Sequence, residues 1–230
     1  MTVMDALIIM TRVPIPGQTK TRLMDILSGT ECAELHTAFL RDIFITFEQL
    51  KDDVAIYLTY TPEDSLHILD PIIPPYIETF PQSGEDLGDK MRHAIETVLV
   101  KGYKKVILMG SDIPDIKAED IRDAFRIMDD YDIVFGPSYD GGYYLVGMKK
   151  RNDSLFAINK KWGGKSVLES TIDKGNNQGL SIGLAKKYQD IDTKEDLFAF
   201  MKRNEQSSEA INTMQYLKAW RMGKQWKKTN

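Results

Sequence analysis

The sequence predicts one α/β domain, built on a mostly parallel sheet with helices on both faces. Short apolar runs alternate with segments of helical periodicity almost throughout the chain, which is the pattern of a doubly covered sheet. The run at residues 105–109 is apolar without alternation, as expected of a strand that is buried on both sides. A length of 230 residues suffices for a full core, and neither a repeat nor a low-complexity linker divides the chain. We expect the α/β domain at residues 1–203 and a helical C-terminal extension at residues 204–230.

Six segments are predicted strands, because each is a short run of apolar and β-branched residues bounded by turn residues. They are residues 6–10, 54–59, 76–80, 105–109, 132–136 and 143–148. The capping-box pair Ser28 and Glu31 opens a long predicted helix. Further helices are predicted within residues 63–69, after a cap at Asp86 with Leu87 on the inner face, and near residues 118–128.

Charge is distributed unevenly along the chain. The formal net charge is −4, but residues 202–230 include seven basic and two acidic residues, a balance of +5, so residues 1–201 carry −9. An acidic body argues against nucleic-acid binding. In the basic segment Ile211, Met214, Leu217 and Trp220 can share one helix face, which we expect to pack on the domain or across a homodimer interface. Contact with an anionic membrane surface is the alternative.

The chain lacks signals for a membrane or an oxidising compartment. No apolar run approaches the roughly 20 residues of a membrane-spanning helix, and the first residues lack the apolar segment of a signal peptide. The single cysteine, Cys32, excludes an intrachain disulfide and falls on an apolar helix face, so we expect an inert buried thiol. These features predict a cytoplasmic protein without stable membrane insertion.

Several common catalytic sites are missing from the sequence. Residues 17–21 superficially suggest a phosphate loop, but the Walker spacing would need glycine where Pro14 and Thr19 stand. Neither G-x-G-x-x-G after the first strand nor G-x-S-x-G occurs. The histidines, His36, His67 and His93, fall on predicted helices away from strand ends, which with one cysteine argues against a zinc site. Carboxylates, lysine and arginine remain, a set suited to metal-assisted phosphate chemistry.

Asp112 stands where the predicted strand at residues 105–109 emerges. Ligands of open α/β sheets bind at the carboxyl ends of the strands, where a carboxylate can hold a divalent metal against a phosphate. The alternative is that Asp112 caps the turn through Pro114, since Asp near Pro favours turns. The rest of the sequence favours the metal.

The residues after the first predicted strand form a candidate phosphate site. Pro14, Pro16 and Gly17 favour a fixed, non-helical loop, after which Lys20 and Arg22 enter the start of a predicted helix. Two cations beside the free N–H groups of a helix N-terminus would cradle a phosphate. The alternative is a solvated loop whose cations keep the surface soluble. The position directly after the first strand favours phosphate binding.

Five motifs occur in order and together resemble a known family. They are Pro14-x-Pro16-Gly17-x-x-Lys20-Thr21-Arg22-Leu23, Gly84-x-Asp86-Leu87-Gly88-x-x-Met91, Gly110-Ser111-Asp112-x-Pro114, Asp140-Gly141-Gly142-Tyr143-Tyr144-Leu145-Val146-Gly147 and Asp190-Ile191-Asp192-Thr193-x-x-Asp196-Leu197. Across about residues 5–200 the chain resembles the small bacterial glycosyltransferase-like proteins of the nucleotide-diphospho-sugar transferase superfamily. Relatives include the 2-phospho-lactate and molybdenum-cofactor guanylyltransferases.

The resemblance implies a three-layer α/β/α fold of the glycosyltransferase-A type, with a nucleotide bound over the carboxyl ends of the strands. It implies that Asp112 and Asp192 bind Mg²⁺ (or Mn²⁺) and that Lys20 and Arg22 contact phosphates. Catalytic roles are expected for Lys20, Arg22, Asp112 and Asp140. Nucleotide contacts are expected from Arg12, Gly17, Lys20, Arg22, Gln82, Gly84, Asp86, Gly88 and Ser111. Arg12 stands where relatives often carry lysine, which keeps the charge but changes the geometry.

Two of these assignments have structural alternatives in helix capping. Asp192 is equally suited to be the N-cap of the helix that follows, with Asp196 in its first turn. The polar loop at residues 82–88 either recognises the base or ribose, or merely caps the next helix through Asp86.

The acceptor side of the site is expected near the turn between the last two predicted strands. Gly141, Gly142 and Tyr143 are candidate acceptor contacts, and Asp140 could face the acceptor. The two glycines could equally serve a tight hairpin alone. Trp162, followed by two glycines, either closes over the acceptor or anchors a surface loop.

Three functions are compatible with these features. The first is an Mg²⁺-dependent transfer of a glycosyl group from a nucleotide-sugar to a small acceptor, which releases a nucleoside diphosphate. The second is nucleotidyl transfer, which releases pyrophosphate. The third is nucleotide binding without catalysis, which predicts affinity without turnover.

Overall fold

The fold is a single mixed sheet with helices on both faces. The computed structural model describes residues 4–156 and 167–229, with side chains to residue 223. The strands are β1 (Asp5–Arg12), β2 (Ala55–Thr61), β3 (Ile77–Pro81), β4 (Lys105–Gly110), β5 (Ile133–Pro137), β6 (Tyr143–Met148) and β7 (Ile182–Leu184). Their order is β3-β2-β1-β4-β6-β5-β7, and of these seven only β6 runs antiparallel to its neighbours. The predicted mostly parallel sheet is therefore confirmed.

Helices connect most of the strands. They are α1 (Gly29–Glu48), α2 (Leu66–Leu69), α3 (Leu87–Leu99), α4 (Ala118–Asp130), α5 (Asp153–Phe156), α6 (Val167–Asn176), α7 (Lys194–Arg203) and α8 (Ile211–Thr229). The predicted capping box opens α1: Glu31 N–H donates to Ser28 Oγ at 3.2 Å, and Ser28 N–H donates to Glu31 Oε2 at 2.6 Å. Of the helices described, none is long and apolar enough to cross a membrane.

The central strands are buried on both faces, which explains their unbroken apolar runs. In β1, Leu7 and Ile9 pack in the core under α1 and α4, whereas Ile8 packs in the opposite core with residues of α3. In β4, Ile107 and Leu108 divide between the same two cores. Successive side chains of a strand point to opposite faces, so the cores lie on opposite sides of the sheet. The predicted three-layer α/β/α architecture is thereby confirmed.

A third cluster joins the C-terminal helices to α1. Leu35 and Phe39 of α1 pack with Phe200 of α7 and with Met214 and Leu217 of α8. The C-terminal segment thus packs on the α/β domain, as predicted.

Two expectations about buried faces are wrong, and one about Cys32 is confirmed. Ile211 is 49% exposed, because the buried face of α8 is formed by Thr213, Met214 and Leu217 and Ile211 lies to the side of it. Leu87 is 43% exposed, because it opens α3 at the rim of a cleft rather than over the core. Cys32 is buried, and burial raises its thiol pKa.

The edge strand β7 is absent from the sequence-based prediction. It has three residues with Gly183 at its centre, so it offers neither the length nor the β-branched run that identifies a strand. It pairs in parallel with β5.

Candidate functional site

A cleft opens at the carboxyl ends of the central strands. The chain turns from β1 to β2 on one side, whereas β4 lies on the other side of β1, so the strand order reverses there. Such switch points are where α/β sheets bind ligands. The cleft has a volume of about 890 Å³. Its lining includes residues after β1, at the end of β4, in the loop before α3, and before α7.

Backbone pairing brings Asp112 and Asp192 to the same end of this cleft. Asp112 follows β4, and its carbonyl oxygen accepts a hydrogen bond of 3.1 Å from Ile191 N–H. Two carboxylates that are 80 positions apart in sequence therefore face one point, and both side chains are partly exposed there.

Lys20 lies between the two carboxylates. Its Nζ is 2.5 Å from Asp112 Oδ1 and 3.5 Å from Asp192 Oδ1, and it donates to the carbonyl of Ile191 at 2.6 Å. Burial alone would raise the pKa of Asp112, but Lys20 and the neighbouring positive groups outweigh it and hold that pKa below its usual range. Asp112 is therefore a carboxylate anion at neutral pH.

The backbone at Lys20 differs from the regular helix start that the sequence suggested. Lys20 has a left-handed conformation with φ 49°, and only a 3₁₀ turn, Thr21–Asp25, follows it. The predicted N-terminus of a long helix is therefore not found after Lys20. The phosphate-binding potential of the loop rests instead on its side-chain cations.

Arg22 differs sharply from Lys20 in exposure. Its side chain is 69% exposed and lines the cleft, and its Nη1 lies 3.3 Å from Asp192 Oδ2. Burial raises the pKa of Asp192, the negative charge of Asp112 adds to the increase, and Lys20 and Arg22 oppose it. Burial together with the charges of Asp140, Asp192 and Asp112 raises the pKa of Asp190 to about 6. The cleft end is strongly acidic and is balanced by two cations.

Asp192 is not the N-cap of α7, so the capping interpretation of this residue is wrong. The N-cap of α7 is Thr193, whose hydroxyl accepts from Asp196 N–H, while Asp196 accepts in return from Thr193 N–H. Asp196 lies in the first turn, as expected. The carboxylate of Asp192 is consequently turned toward Lys20 and Arg22.

A buried polar network holds the end of β1 in place. His36 Nε2 lies 2.9 Å from Thr11 Oγ1 and donates to the Arg12 carbonyl at 3.2 Å. Thr11 Oγ1 also lies 3.0 Å from Ser111 Oγ, and Gln82 Nε2 donates to the Thr11 carbonyl at 2.8 Å. One hydroxyl thus links α1 to the ends of β1 and β4.

The sequence-based prediction of the position of His36 is wrong. His36 was expected away from strand ends, yet it lines the cleft at the end of β1. The apolar residues Leu35 and Phe39 mark the buried face of α1, and this pattern could have indicated that His36 is buried. Which strand end that face meets depends on helix packing.

The expected site residues divide into those that line the cleft and those that do not. Lining residues are Arg12, Lys20, Arg22, Gln82, Asp86, Ser111, Asp112, Tyr143 and Asp192. The lining does not include Gly17, Gly84, Gly88, Asp140, Gly141 or Gly142. Trp162 lies outside the described residues.

Asp86 and Asp140 have structural roles in the loops that carry them. Asp86 caps α3 by accepting from Asp89 N–H at 2.8 Å, while also lining the cleft. Asp140 accepts from Gly142 N–H at 2.9 Å and from the Ser138 hydroxyl, which closes the β5–β6 hairpin. Catalytic use of Asp140 stays a prediction.

The chemistry of the donor set fits a hard divalent cation. Mg²⁺ usually takes one or two protein carboxylates and fills its other positions with phosphate oxygens and water. Asp112 and Asp192 offer such a pair, already arranged around one positive charge. Within residues 4–156 and 167–229, no cluster of three or more potential His, Cys, Asp or Glu ligands is present.

Comparison with known proteins agrees with this architecture. Residues 45–163 match the family described as "Uncharacterized protein conserved in bacteria (DUF2064)". The chain is 30% identical over 181 residues to 2-phospho-L-lactate guanylyltransferase of Methanocaldococcus sp. strain FS406-22, covering 77% of this chain and 74% of that protein. It is 28% identical over 181 residues to the enzyme of the same name from Methanocaldococcus jannaschii, covering 77% of this chain and 75% of that protein.

Solved structures show the same fold. A candidate nucleotide-diphospho-sugar transferase from Desulfovibrio desulfuricans G20 superposes with a TM-score of 0.86 at 30% identity, covering 94% of each chain. A 4-diphosphocytidyl-2C-methyl-D-erythritol synthase from Anaerococcus prevotii has a TM-score of 0.53 at 13% identity, covering 86% of this chain and 96% of that one, so it shares the fold alone. The chain therefore belongs to the DUF2064 family, within the nucleotide-diphospho-sugar transferase superfamily.

Proposed function

We propose that this protein is a nucleotidyltransferase that joins the nucleoside monophosphate of a nucleoside triphosphate to a small phosphorylated acceptor. The observation that carries the proposal is the grouping of Lys20, Arg22, Asp112 and Asp192 at one end of the cleft. The similar guanylyltransferases make GTP the first triphosphate to test, and 2-phospho-L-lactate the first acceptor.

The charges at this end suit a polyphosphate and its counter-ions. Arg22 is exposed and can turn toward a bound phosphate, whereas Lys20 stands beside the carboxylates. A triphosphate brought in without compensation would be repelled by Asp112 and Asp192. The cations of the protein, with a divalent metal, therefore have to balance both sets of negative charge.

The reaction needs positioning and charge balance more than it needs a protein nucleophile. An acceptor phosphate oxygen attacks the α-phosphorus, a new P–O bond forms, and the bond to the β-phosphate oxygen breaks, releasing pyrophosphate. Lys20 and Arg22 neutralise the departing pyrophosphate. The network around Thr11 holds Ser111, and the hydrogen bond from Ile191 N–H holds the backbone of Asp112. Asp112 and Asp192 would hold Mg²⁺ or Mn²⁺, which when bound supplies Lewis-acid charge stabilisation.

The released product tests the proposal. Purified protein is incubated with Mg²⁺, each of four nucleoside triphosphates and 2-phospho-L-lactate or another small phosphorylated acid, and pyrophosphate is measured enzymatically. Acceptor-dependent pyrophosphate release is expected in wild type and not in Asp112→Asn. Asp123→Asn is the matched control, because Asp123 is an exposed residue of α4 outside the cleft lining. Nucleotide binding without any turnover would support a purely binding protein instead.

Glycosyl transfer is the second candidate, favoured by the 30% identity to the candidate nucleotide-diphospho-sugar transferase from Desulfovibrio desulfuricans G20. The two reactions differ in their leaving group. A screen of nucleotide-sugars that releases nucleoside diphosphate, with no pyrophosphate from triphosphates, would establish this alternative.

A further inference from the structure

The Lys20 ammonium lies between Asp112 and Asp192, where a bound divalent cation would also place its positive charge. We propose that the Lys20 ammonium and a divalent cation are alternative occupants of this carboxylate pair. The metal then enters as Lys20 moves to the phosphates of the incoming nucleotide. The inference rests on the proposed nucleotide-binding function and adds an internal competitor that sets the order of binding.

The contacts of Lys20 give its ammonium group two close acceptors and one more distant ion-pair partner. An ammonium has three N–H donors, and acceptors surround this one at 2.5 Å on Asp112, 2.6 Å on the Ile191 carbonyl and 3.5 Å on Asp192. The Lys20 side chain is only 5% exposed, and its Nζ lies 5.3 Å from the ring centre of Phe39. A buried ammonium needs such partners to offset its loss of hydration.

Simultaneous binding of a metal and Lys20 at Asp112 and Asp192 would be electrostatically unfavourable. Mg²⁺ binds carboxylate oxygens at about 2.1 Å, so a metal on Asp112 would lie within about 5 Å of Nζ if Lys20 stayed. Two cations this close repel strongly in a partly buried site. A metal on Asp112 Oδ1 would also compete with Lys20 for the oxygen that the ammonium now contacts. This repulsion and competition favour exchange of one cation for the other.

The phosphate oxygens of a bound nucleotide would give the Lys20 ammonium new acceptors. When a polyphosphate enters the cleft, Lys20 can exchange its carboxylate partners for phosphate oxygens, and the vacated carboxylates can bind the metal. Nucleotide binding should thus strengthen metal binding, and the metal should strengthen nucleotide binding by the same factor. Metal alone should bind weakly, because it must displace an ammonium that has no alternative anion.

The test is Mn²⁺ binding to the nucleotide-free protein, measured from the paramagnetic resonance signal of free Mn²⁺. Lys20→Met removes the competing charge and should bind Mn²⁺ about tenfold more tightly than wild type, or better. Lys101→Met is the matched control, because Lys101 pairs with Glu78 at 2.8 Å outside the cleft lining, and it should leave Mn²⁺ affinity unchanged. The double variant Lys20→Met/Asp112→Asn should lose the gain. Equal Mn²⁺ affinity in wild type and Lys20→Met would overturn the exchange.

Removing Lys20 leaves two facing carboxylates, so folding is checked by circular dichroism, and Lys20→Gln provides a second, hydrogen-bonding variant. If neither variant folds alone, Mn²⁺ must restore folding at concentrations that leave the wild-type melting temperature unchanged, and failure to do so also overturns the exchange. The assay contains neither nucleotide nor acceptor. A protein that binds Mn²⁺ as expected but releases no pyrophosphate would refute the proposed function and keep the cation exchange.

Discussion

At the scale of single residues, exposure separates the two cations of the cleft. Lys20 is 5% exposed and Arg22 is 69% exposed, although both meet Asp192. Position after a predicted strand identified Lys20, Arg22 and Asp112 as candidate site residues, whereas only the family resemblance paired Asp192 with Asp112. The geometry of their contacts could not be predicted, because it depends on the hydrogen bond between Ile191 and Asp112 across the chain.

Replacing Arg22 with Ala should weaken triphosphate binding by about 1.5 kcal/mol, at the lower end for a charge-assisted contact because the side chain is exposed. Binding of the bare nucleoside should change little, since Arg22 is expected to contact phosphates. Titration calorimetry with the nucleoside and its triphosphate measures both. Equal losses for the two ligands would indicate a folding defect and remove the phosphate role.

The buried imidazole of His36 should make stability fall with acid. Burial, with the nearby Lys20, lowers its pKa from 6.5 to about 4, while Asp112 and the Arg12 carbonyl oppose the shift. The unfolded chain therefore takes up a proton below pH 6.5, whereas the folded protein does so only near pH 4. Stability from this group is complete above pH 6.5 and is lost toward pH 4, by about 3 kcal/mol at 1.4 kcal/mol per pH unit.

His36→Gln keeps a donor for the Arg12 carbonyl but does not titrate. Urea unfolding at pH 7 and pH 4.5 should show a smaller acid loss in this variant than in wild type. Because carboxylates elsewhere contribute equally to both proteins, the difference between them is the measured quantity. An identical pH dependence would show that His36 is not held neutral.

At the scale of elements, α8 is anchored through a contact that its own sequence does not reveal. Its apolar stripe predicted packing, and Met214 and Leu217 are buried on α1. Its N-terminus is capped from α1, however: the Asp42 carboxylate accepts from the N–H groups of Asn212 and Thr213, both at 2.8 Å. The partners are 170 and 171 positions apart, so local capping rules cannot find them.

Asp42→Ala should lower the free energy of unfolding by about 3 kcal/mol, because it leaves buried N–H groups at the start of α8 without their acceptor. Asp52→Ala, at an exposed position after α1, should change it by less than about 0.5 kcal/mol. Urea denaturation compares the two. A loss at Asp42 no larger than that at Asp52 would show that the cap is dispensable.

Truncation after Arg203 should lower the melting temperature, because it uncovers Leu35 and Phe39. Nucleotide binding by the folded fraction should persist, since no residue of α8 whose side chain is described, Ile211 to Gly223, lines the cleft. Thermal unfolding and light scattering measure stability and mass together. A truncated chain with unchanged melting temperature and mass would contradict the packing role.

At the scale of the whole molecule, the parallel sheet explains why distant motifs form one site. The alternation of strands and helices predicts parallel strands, and their carboxyl ends gather at one edge. The insertion of antiparallel β6 between β4 and β5 and the addition of β7 at the edge are long-range pairings, which local pattern does not specify. The cleft could therefore be predicted at the β1–β4 edge, but not the lining that His36 contributes from α1.

We propose that Asp112 binds a metal that in turn binds the nucleotide phosphates. Titration calorimetry of GTP with Mg²⁺ measures it directly, using wild type, Asp112→Asn and the surface control Asp123→Asn. Asp112→Asn should bind about tenfold more weakly or worse, as expected when a metal ligand loses its charge, and the difference should shrink in EDTA. Asp112→Asn binding GTP and Mg²⁺ as tightly as wild type would contradict the metal role.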